Sequence, residues 1–232
     1  MDLIISGLGK AFRLLLSLDQ EVFAITWLSL QVSGLATIIS LFLGISLGTT
    51  VALTTFPGRN LVVSLINTGM ALPPVVVGLF VTIFLWRNGP LGFMGLLYTP
   101  AAMIIAQIVI ATPIVTGISL AAMQSLPEKL RLQILALGAT RLQMLWLLMR
   151  EARLPLLAAV MAGFGGVISE VGASIMVGGN IKGYSRVLTT ATVMETSRGN
   201  FEMAMALGII LLFFIFLINA VLSRIQQQTK VR

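Results

Sequence analysis

Residues 127–155 read PEKLRLQILALGATRLQMLWLLMREARLP. This is the one substantial stretch that mixes charge with apolar residues at helical spacing, and long apolar runs flank it on both sides. Leu130, Ile134, Leu135 and Leu137 recur with a helical period, with Lys129, Arg131 and Gln133 between them. Gly138 then interrupts, and a second helical pattern runs through Leu142, Leu145, Trp146 and Met149. Glycine has no Cβ, so it ends one helix and turns the chain into the next. A helix–glycine–helix element held at a membrane surface suits docking into a groove on a soluble partner. The plainer alternative is an interfacial connector helix.

Working outward, composition bounds the class. The chain has 232 residues, is 57% hydrophobic and only 10% charged, with a mean hydropathy of +1.02. A soluble domain of this size has no interior large enough for that much apolar surface, whereas a polytopic helical membrane protein has lipid to face. The fold class expected is therefore all-α and integral to the membrane. It would have about five transmembrane helices, an N-terminal interfacial helix and one helical element outside the bilayer. There is no Cys and no His, which removes disulfides, Cys-metal sites and the commonest general base. The net charge of +7 fits basic residues kept on the inner side of a membrane, not nucleic-acid binding.

In chain order, residues 1–21 carry Lys10 and Arg13 inside an apolar run, with no small-residue cleavage site following. They read as a retained interfacial helix, with a first membrane pass as the rival. A span fits within residues 24–54, where Gly44 and Gly48 allow close helix packing. The second lies within 61–86 and holds Ala71-Leu72-Pro73-Pro74 near its middle. Paired prolines remove donors and kink a helix, so this one is expected to line protein or a wet cavity. The third span, within 100–123, is read as interrupted by Pro113. The fourth begins near Leu154 and runs into Ser169-Glu170-Val171-Gly172-Ala173. A polar loop over 178–202 holds a short helix around 187–196, the fifth span covers 203–222, and a basic tail follows from 224 to 232. The membrane domain is thus residues 22–223, with its surface loop at 125–153.

Glu170 is the only acid inside an expected span. A carboxylate there faces protein or water. A proton relay would need a second ionisable group to receive the proton, and none lies in a span, so Glu170 is read as a hydrogen-bonded residue holding a helix break. Five spans place the termini on opposite sides. With the 127–155 stretch inside, Arg59, Lys129, Arg131, Arg141, Arg150, Arg153 and the tail bases are cytoplasmic, which favours N-out and C-in.

The motifs now carry a resemblance. Leu137-Gly138-Ala139-Thr140-Arg141-Leu142-Gln143 resembles the second half of the cytoplasmic loop of ABC-importer permeases, which usually reads E-A-A-x-x-x-G and ends I-x-L-P. Here Leu132-Gln133-Ile134 stand in place of E-A-A, and Leu154-Pro155 lies about one helical turn farther from the glycine than usual. Leu72-Pro73-Pro74-Val75-Val76-Val77-Gly78 and Asn88-Gly89-Pro90-Leu91-Gly92 resemble the sulfate/molybdate/tungstate permease group. Ile168-Ser169-Glu170-Val171-Gly172-Ala173, Val177-Gly178-Gly179-Asn180-Ile181-Lys182-Gly183-Tyr184 and Thr189-Thr190-Ala191 resemble its tungstate branch.

The resemblance implies a homodimer of this subunit, two cytoplasmic ATPase subunits, and an extracytoplasmic protein that delivers an oxyanion. It implies a multi-pass location in the cell membrane of a prokaryote. Tungstate is the cargo expected, with molybdate or sulfate as alternatives. ATP chemistry would belong to the partner: this chain has no phosphate-binding glycine loop, no catalytic constellation and no cofactor motif. The resemblance assigns ATPase coupling to Leu130, Ile134, Leu135, Leu137, Gly138, Ala139 and Arg141. It assigns the translocation path and gate to Pro73, Pro74, Ser169, Glu170, Gly172, Gly179 and Asn180. Lys182, Arg186 and Arg198 are expected on an outer loop that faces the binding protein and the arriving dianion, with a plain solvated loop as the alternative. An ion-driven secondary transporter is the alternative of another class. It would normally need more intramembrane ionisable groups than one acid, and often an internal repeat.

Overall fold

The computed structural model describes residues 2–17 and 19–228; the tail bases Lys230 and Arg232 lie outside them. The helices are α1 (Asp2–Leu16), α2 (Gln20–Leu53), α3 (Arg59–Met70), α4 (Pro74–Leu85), α5 (Pro100–Gln124), α6 (Glu128–Ala136), α7 (Arg141–Glu151), α8 (Arg153–Ile168), α9 (Gly172–Gly178), α10 (Leu188–Ser197) and α11 (Phe201–Gln228). No strand occurs among the described residues. Three helices, α2, α5 and α11, are long and apolar enough to cross a membrane singly. Two bent pairs pass the same test together: α3 with α4, bent by 101°, and α7 with α8, bent by 71°. Counting each pair once gives up to five spans, with the charged α7 standing ahead of the apolar α8 in the second pair, and the chain is a multi-pass membrane protein.

The centre of the molecule is the pairing of α2 with α5. The face of α2 that meets α5 is built from small residues, and the G-x-x-x-G spacing is used in full. A Cβ on Gly44 would stand 2.7 Å from Val115 Cβ, and one on Gly48 would stand 2.6 Å from the Thr116 carbonyl oxygen. Small residues let two backbones approach, so dispersion contacts accumulate where lipid offers no hydrophobic drive. Buried hydroxyls on α2 return to their own helix, as Thr26 does to the Val22 carbonyl at 2.7 Å and Ser29 to Ile25 at 2.7 Å. Ser40 instead reaches across, with Thr112 donating to it at 3.3 Å.

One expectation changes here. Pro113 does not interrupt its span: α5 runs through it unbroken. The position is clamped by neighbours, since Gly69 of α3 packs so close that a Cβ would lie 2.8 Å from the proline ring. Neighbouring helices of this kind are what make proline tolerable in a membrane helix. The second span does break at its paired prolines, as expected, and α3 and α4 meet there at 101°. Helices α3 and α4 have 12 residues each, roughly 18 Å apiece, so neither alone crosses a core of about 30 Å.

Around this centre, one core unites Val77, Val81, Met103, Ala106, Val167, Ala173 and Val177 from α4, α5, α8 and α9. A second joins α1 and the start of α2 to α11 through Ala11, Val22, Ile25, Leu207 and Ile210. Helix α1 lies against the first half of α11, where Lys10 pairs with Glu202 at 3.7 Å. Its other face exposes Ile4, Ile5, Leu8, Phe12 and Leu16, an apolar surface that needs lipid to cover it. A third core sits beneath α6 and α7.

Candidate functional site

Each of the two proline- or glutamate-marked breaks starts a new helix, and the two new helices pack on each other. Pro73 precedes α4 in an extended conformation (φ −63°, ψ 124°), and Pro74 takes the first helical position, where its missing N–H costs nothing. Helix α4 then meets α9 closely: a Cβ on Gly78 would lie 2.7 Å from Ala173 Cα, and one on Gly172 would lie 2.6 Å from Val75 Cγ2.

Glu170 is buried at 8% exposure and turns back on the helix it precedes. Its Oε1 accepts a hydrogen bond from the Ala173 N–H at 2.8 Å, satisfying one of the free donors that open α9. Its carbonyl accepts from Thr189 Oγ1 of α10 at 3.0 Å. One residue therefore holds the break and ties it to the next helix. Ser169 is exposed, and its hydroxyl returns to the Gly165 carbonyl at 2.7 Å; it closes α8 and does not join the contact.

The far end of α9 is a chain of left-handed residues: Gly179 (φ 70°), Asn180 (φ 50°) and, facing them, Tyr98 (φ 65°). Left-handed non-glycine residues are uncommon and concentrate where surroundings impose them. The Tyr98 N–H donates to the Val177 carbonyl at 2.7 Å, and its ring covers Gly179 so tightly that a Cβ there would meet it at 2.8 Å. Ser185 Oγ donates to the Gly178 carbonyl and accepts from the Ile181 N–H. Asn180 Nδ2 donates to the Thr190 carbonyl at 3.4 Å, while its Oδ1 is buried without a partner.

Of the three outer bases, Lys182 and Arg198 stay exposed and only Arg186 is withdrawn from solvent, and all three are paired. The Glu21 carboxylate bridges Lys182 at 2.7 Å and Arg186 at 3.6 Å. Arg186 is buried at 9% exposure, with Nη2 against Met194 Sδ at 3.4 Å and Nε unpartnered. Arg198 pairs with Glu195 at 3.2 Å. Sequence reasoning placed Arg186 on the outer loop but missed its burial and its partner Glu21. The two residues join the first turn of α2 to the loop after α9, across 165 positions, and no local pattern marks such a pair.

At the opposite end, α6 and α7 form the helix–glycine–helix element. Gly138 has φ +83°. Thr140 and Gln143 cap α7 reciprocally, Thr140 Oγ1 accepting from the Gln143 N–H at 3.3 Å and Gln143 Oε1 from the Thr140 N–H at 2.8 Å. The element is bolted to the bundle from inside. Ile134, Met144 and Leu148 are buried on Ala122, Met123 and Leu156, with Leu130 and Ala139 half-buried beside them. Arg131 Nη1 donates to the Leu53 carbonyl at 3.2 Å. Outward it shows Leu132, Leu135, Leu137 (88% exposed), Leu142 (78%) and Trp146, with Arg141 among them. Of the expected coupling residues, then, Leu135, Leu137, Gly138 and Arg141 face out. Ile134 does not, because helical spacing turns it onto the bundle with Met144 and Leu148.

Residues 25–230 match the model of the family described as binding-protein-dependent transport system inner membrane component. The tungstate uptake system permease protein TupB of Peptoclostridium acidaminophilum is 42% identical over 98% of this chain and 100% of its own. A probable anion ABC transporter permease protein of Haloferax volcanii is 43% identical over 89% of this chain and 91% of its own. Among solved structures, the inward-facing MetNI methionine ABC transporter superposes with a TM-score of 0.75 at 20% identity, covering 91% of this chain and 97% of that one; this likeness shows the type I ABC importer fold. The chain belongs to the family of binding-protein-dependent transport system inner membrane components, membrane-spanning transport subunits that work with a partner ATPase and a substrate-binding protein.

Proposed function

We propose that this chain is the permease of an ABC importer that carries an oxyanion, tungstate, into the cytoplasm. In this reading two copies form the pathway, two ATPase subunits dock on α6 and α7, and an extracytoplasmic binding protein delivers the anion at the opposite end. The N-terminus is then outside and the C-terminus inside. The apolar platform of Leu132, Leu135, Leu137, Leu142 and Trp146 carries the coupling part of the reading. Such an exposed patch, set among the charges of residues 127–153 and anchored from below by Ile134, Met144 and Leu148, has the character of a protein-docking surface. The similarity to the TupB permease over nearly the whole chain supports the choice of tungstate.

The mechanism follows from the breaks. Alternating access needs rigid bodies and a few weak joints. The backbone contact between Gly78 and Ala173 makes α4 and α9 one rigid pair. The Glu170 cap, the Tyr98–Gly179 contact and the Glu21–Arg186 pair are the joints that hold the pair against the rest. Pulling on the platform moves α5 and α8 through the shared core of Met123 and Leu156, and so transmits a change of ATPase spacing to the gate. The test is reconstitution with the ATPase and binding protein: tungstate uptake should depend on ATP and on the loaded binding protein. Uptake of molybdate or sulfate in its place changes the cargo, and uptake driven by an ion gradient without ATP overturns the reading.

A further inference from the structure

Charge is neutralised unevenly in this molecule. At the end where α2 and α11 begin, Lys10, Lys182, Arg186 and Arg198 all have carboxylate partners; Arg13 and Arg87 are the remaining bases there. At the α6–α7 end, Arg59, Lys129, Arg131, Arg141, Arg150, Arg153 and Arg224 form no ion pair among the described residues, although Glu128 and Glu151 lie in the same segment. Two of these bases share a cavity. Arg150 and Arg153 flank the 71° corner where α7 turns into α8, and with Leu147, Glu151 and Leu154 they line a hollow of about 400 Å³.

We propose that this hollow is a binding site for one phospholipid with a singly anionic phosphodiester headgroup. Four observations carry the assignment. Two arginines and one glutamate leave the hollow with one net positive charge, which matches one phosphodiester. Leu147 and Leu154 stand in the same wall, so the site offers an apolar surface beside its charges, as an amphiphile requires and a soluble ion does not. The corner lies where the charged α7 gives way to the apolar α8, and Trp146 packs its ring under the Arg150 guanidinium at 5.3 Å, an indole beside a base as membrane interfaces favour. Leu154 also lines a second hollow with Pro155, Gln226 and Gln227, and Gln226 Nε2 donates to the Leu154 carbonyl at 3.4 Å. A lipid seated here therefore touches the start of α8 and lies beside the end of α11. It would brace the corner through which the platform moves the bundle. The inference goes beyond the transport reading and does not depend on which anion is carried.

The test uses the purified full-length transporter with its ATPase, incubated with phosphatidylglycerol or phosphatidylcholine and read by native mass spectrometry. The wild type should retain one phosphatidylglycerol per permease in preference to phosphatidylcholine. Arg150→Gln with Arg153→Gln should lower that retention by roughly thirtyfold, from the contribution of two surface bases to anionic-lipid binding. Arg150→Lys with Arg153→Lys keeps the charge and should keep most of the retention, which separates loss of the site from loss of the fold. Retention of phosphatidylglycerol by the double Gln variant overturns the proposal, as does equal retention of phosphatidylcholine by the wild type. Displacement of the lipid by millimolar inorganic phosphate would reduce the hollow to a plain anion site and also overturn it. If the double Gln variant sheds the ATPase while keeping the lipid, the arginines serve an acidic protein surface instead.

Discussion

Gly78 and Ala173 touch backbone to backbone: the Cβ that Gly78 lacks would stand 2.7 Å from Ala173 Cα. The two discontinuities of the chain, the proline pair before α4 and Glu170 before α9, thus deliver their helices to one contact. Neither backbone gives way as a side chain does. Gly78→Ala should therefore separate α4 from α9 and destabilise the protein by about 1–3 kcal/mol, as overpacking does. Uptake should fall while the ATPase still co-purifies, because the platform is untouched. Gly165→Ala is the control, since a Cβ there meets nothing within 4 Å. Equal thermal stability and uptake for the two variants would mean that the close contact is not a joint.

Glu170 caps α9 through Oε1. Glu170→Gln retains a carbonyl oxygen at that position and should keep most of the transport rate. Glu170→Leu leaves the Ala173 N–H buried without its acceptor, at a cost of about 1–3 kcal/mol, and should abolish transport. Uptake and thermal unfolding of both variants decide the matter. If Gln transports as poorly as Leu with assembly intact, the negative charge itself is needed and the capping role is insufficient.

Much of this arrangement is legible in the chain, and the failures have a common cause. The uncharged runs set the spans, because about 20 apolar residues cross a bilayer however they pack. Glycine at 138 marked the turn, and its left-handed φ agrees. Glu170 stood out as an intramembrane acid, and its cap is local, three residues away. What stayed hidden was relational. Pro113 looks like a breaker until Gly69 is seen against it. Arg186 looks like a surface base until Glu21 arrives from the far end of the chain. Ile134 belongs to the same apolar stripe as Leu135 and Leu137, and only the position of Met123 and Leu156 says which of them is inside. Local pattern specifies helices and turns; the partner across the bundle decides burial.

The Glu21–Arg186 pair yields an asymmetric prediction. Arg186 is buried, whereas the Glu21 side chain is 46% exposed. Glu21→Gln strands a buried guanidinium without its carboxylate and should cost about 2 kcal/mol, below the value for a fully buried pair because water reaches one partner. Arg186→Met removes the buried charge and leaves Glu21 with Lys182, so it should cost less. Lys182→Gln breaks only an exposed pair and should change stability by about 0.5 kcal/mol or less. Thermal unfolding at low and high salt checks the order. A Glu21→Gln effect that disappears at high salt would show that the pair is a screened surface contact.

Gly138 gives the sharpest test of coupling. Its φ of +83° lies in the left-handed region, and a Cβ there would meet no atom within 4 Å. Substitution is therefore penalised by backbone conformation alone, not by a clash. The penalty should rank by residue type: Asn tolerates this region, Ala costs about 1 kcal/mol, and a β-branched side chain such as Val costs more. The spans keep all their apolar residues and should still insert. What changes is the angle between α6, anchored by Ile134, and α7, anchored by Met144 and Leu148. The exposed leucines on the two sides of the turn would then no longer form one surface. Gly138→Val should either release the ATPase or leave it hydrolysing ATP without response to the loaded binding protein. Gly138→Ala should be intermediate, and Gly138→Asn should approach wild type. The paired measurement is ATPase co-purification and the ratio of ATPase rates with and without loaded binding protein. A Val variant that keeps both would make α6 and α7 a surface connector, and the docking surface would have to be sought elsewhere on the inner face.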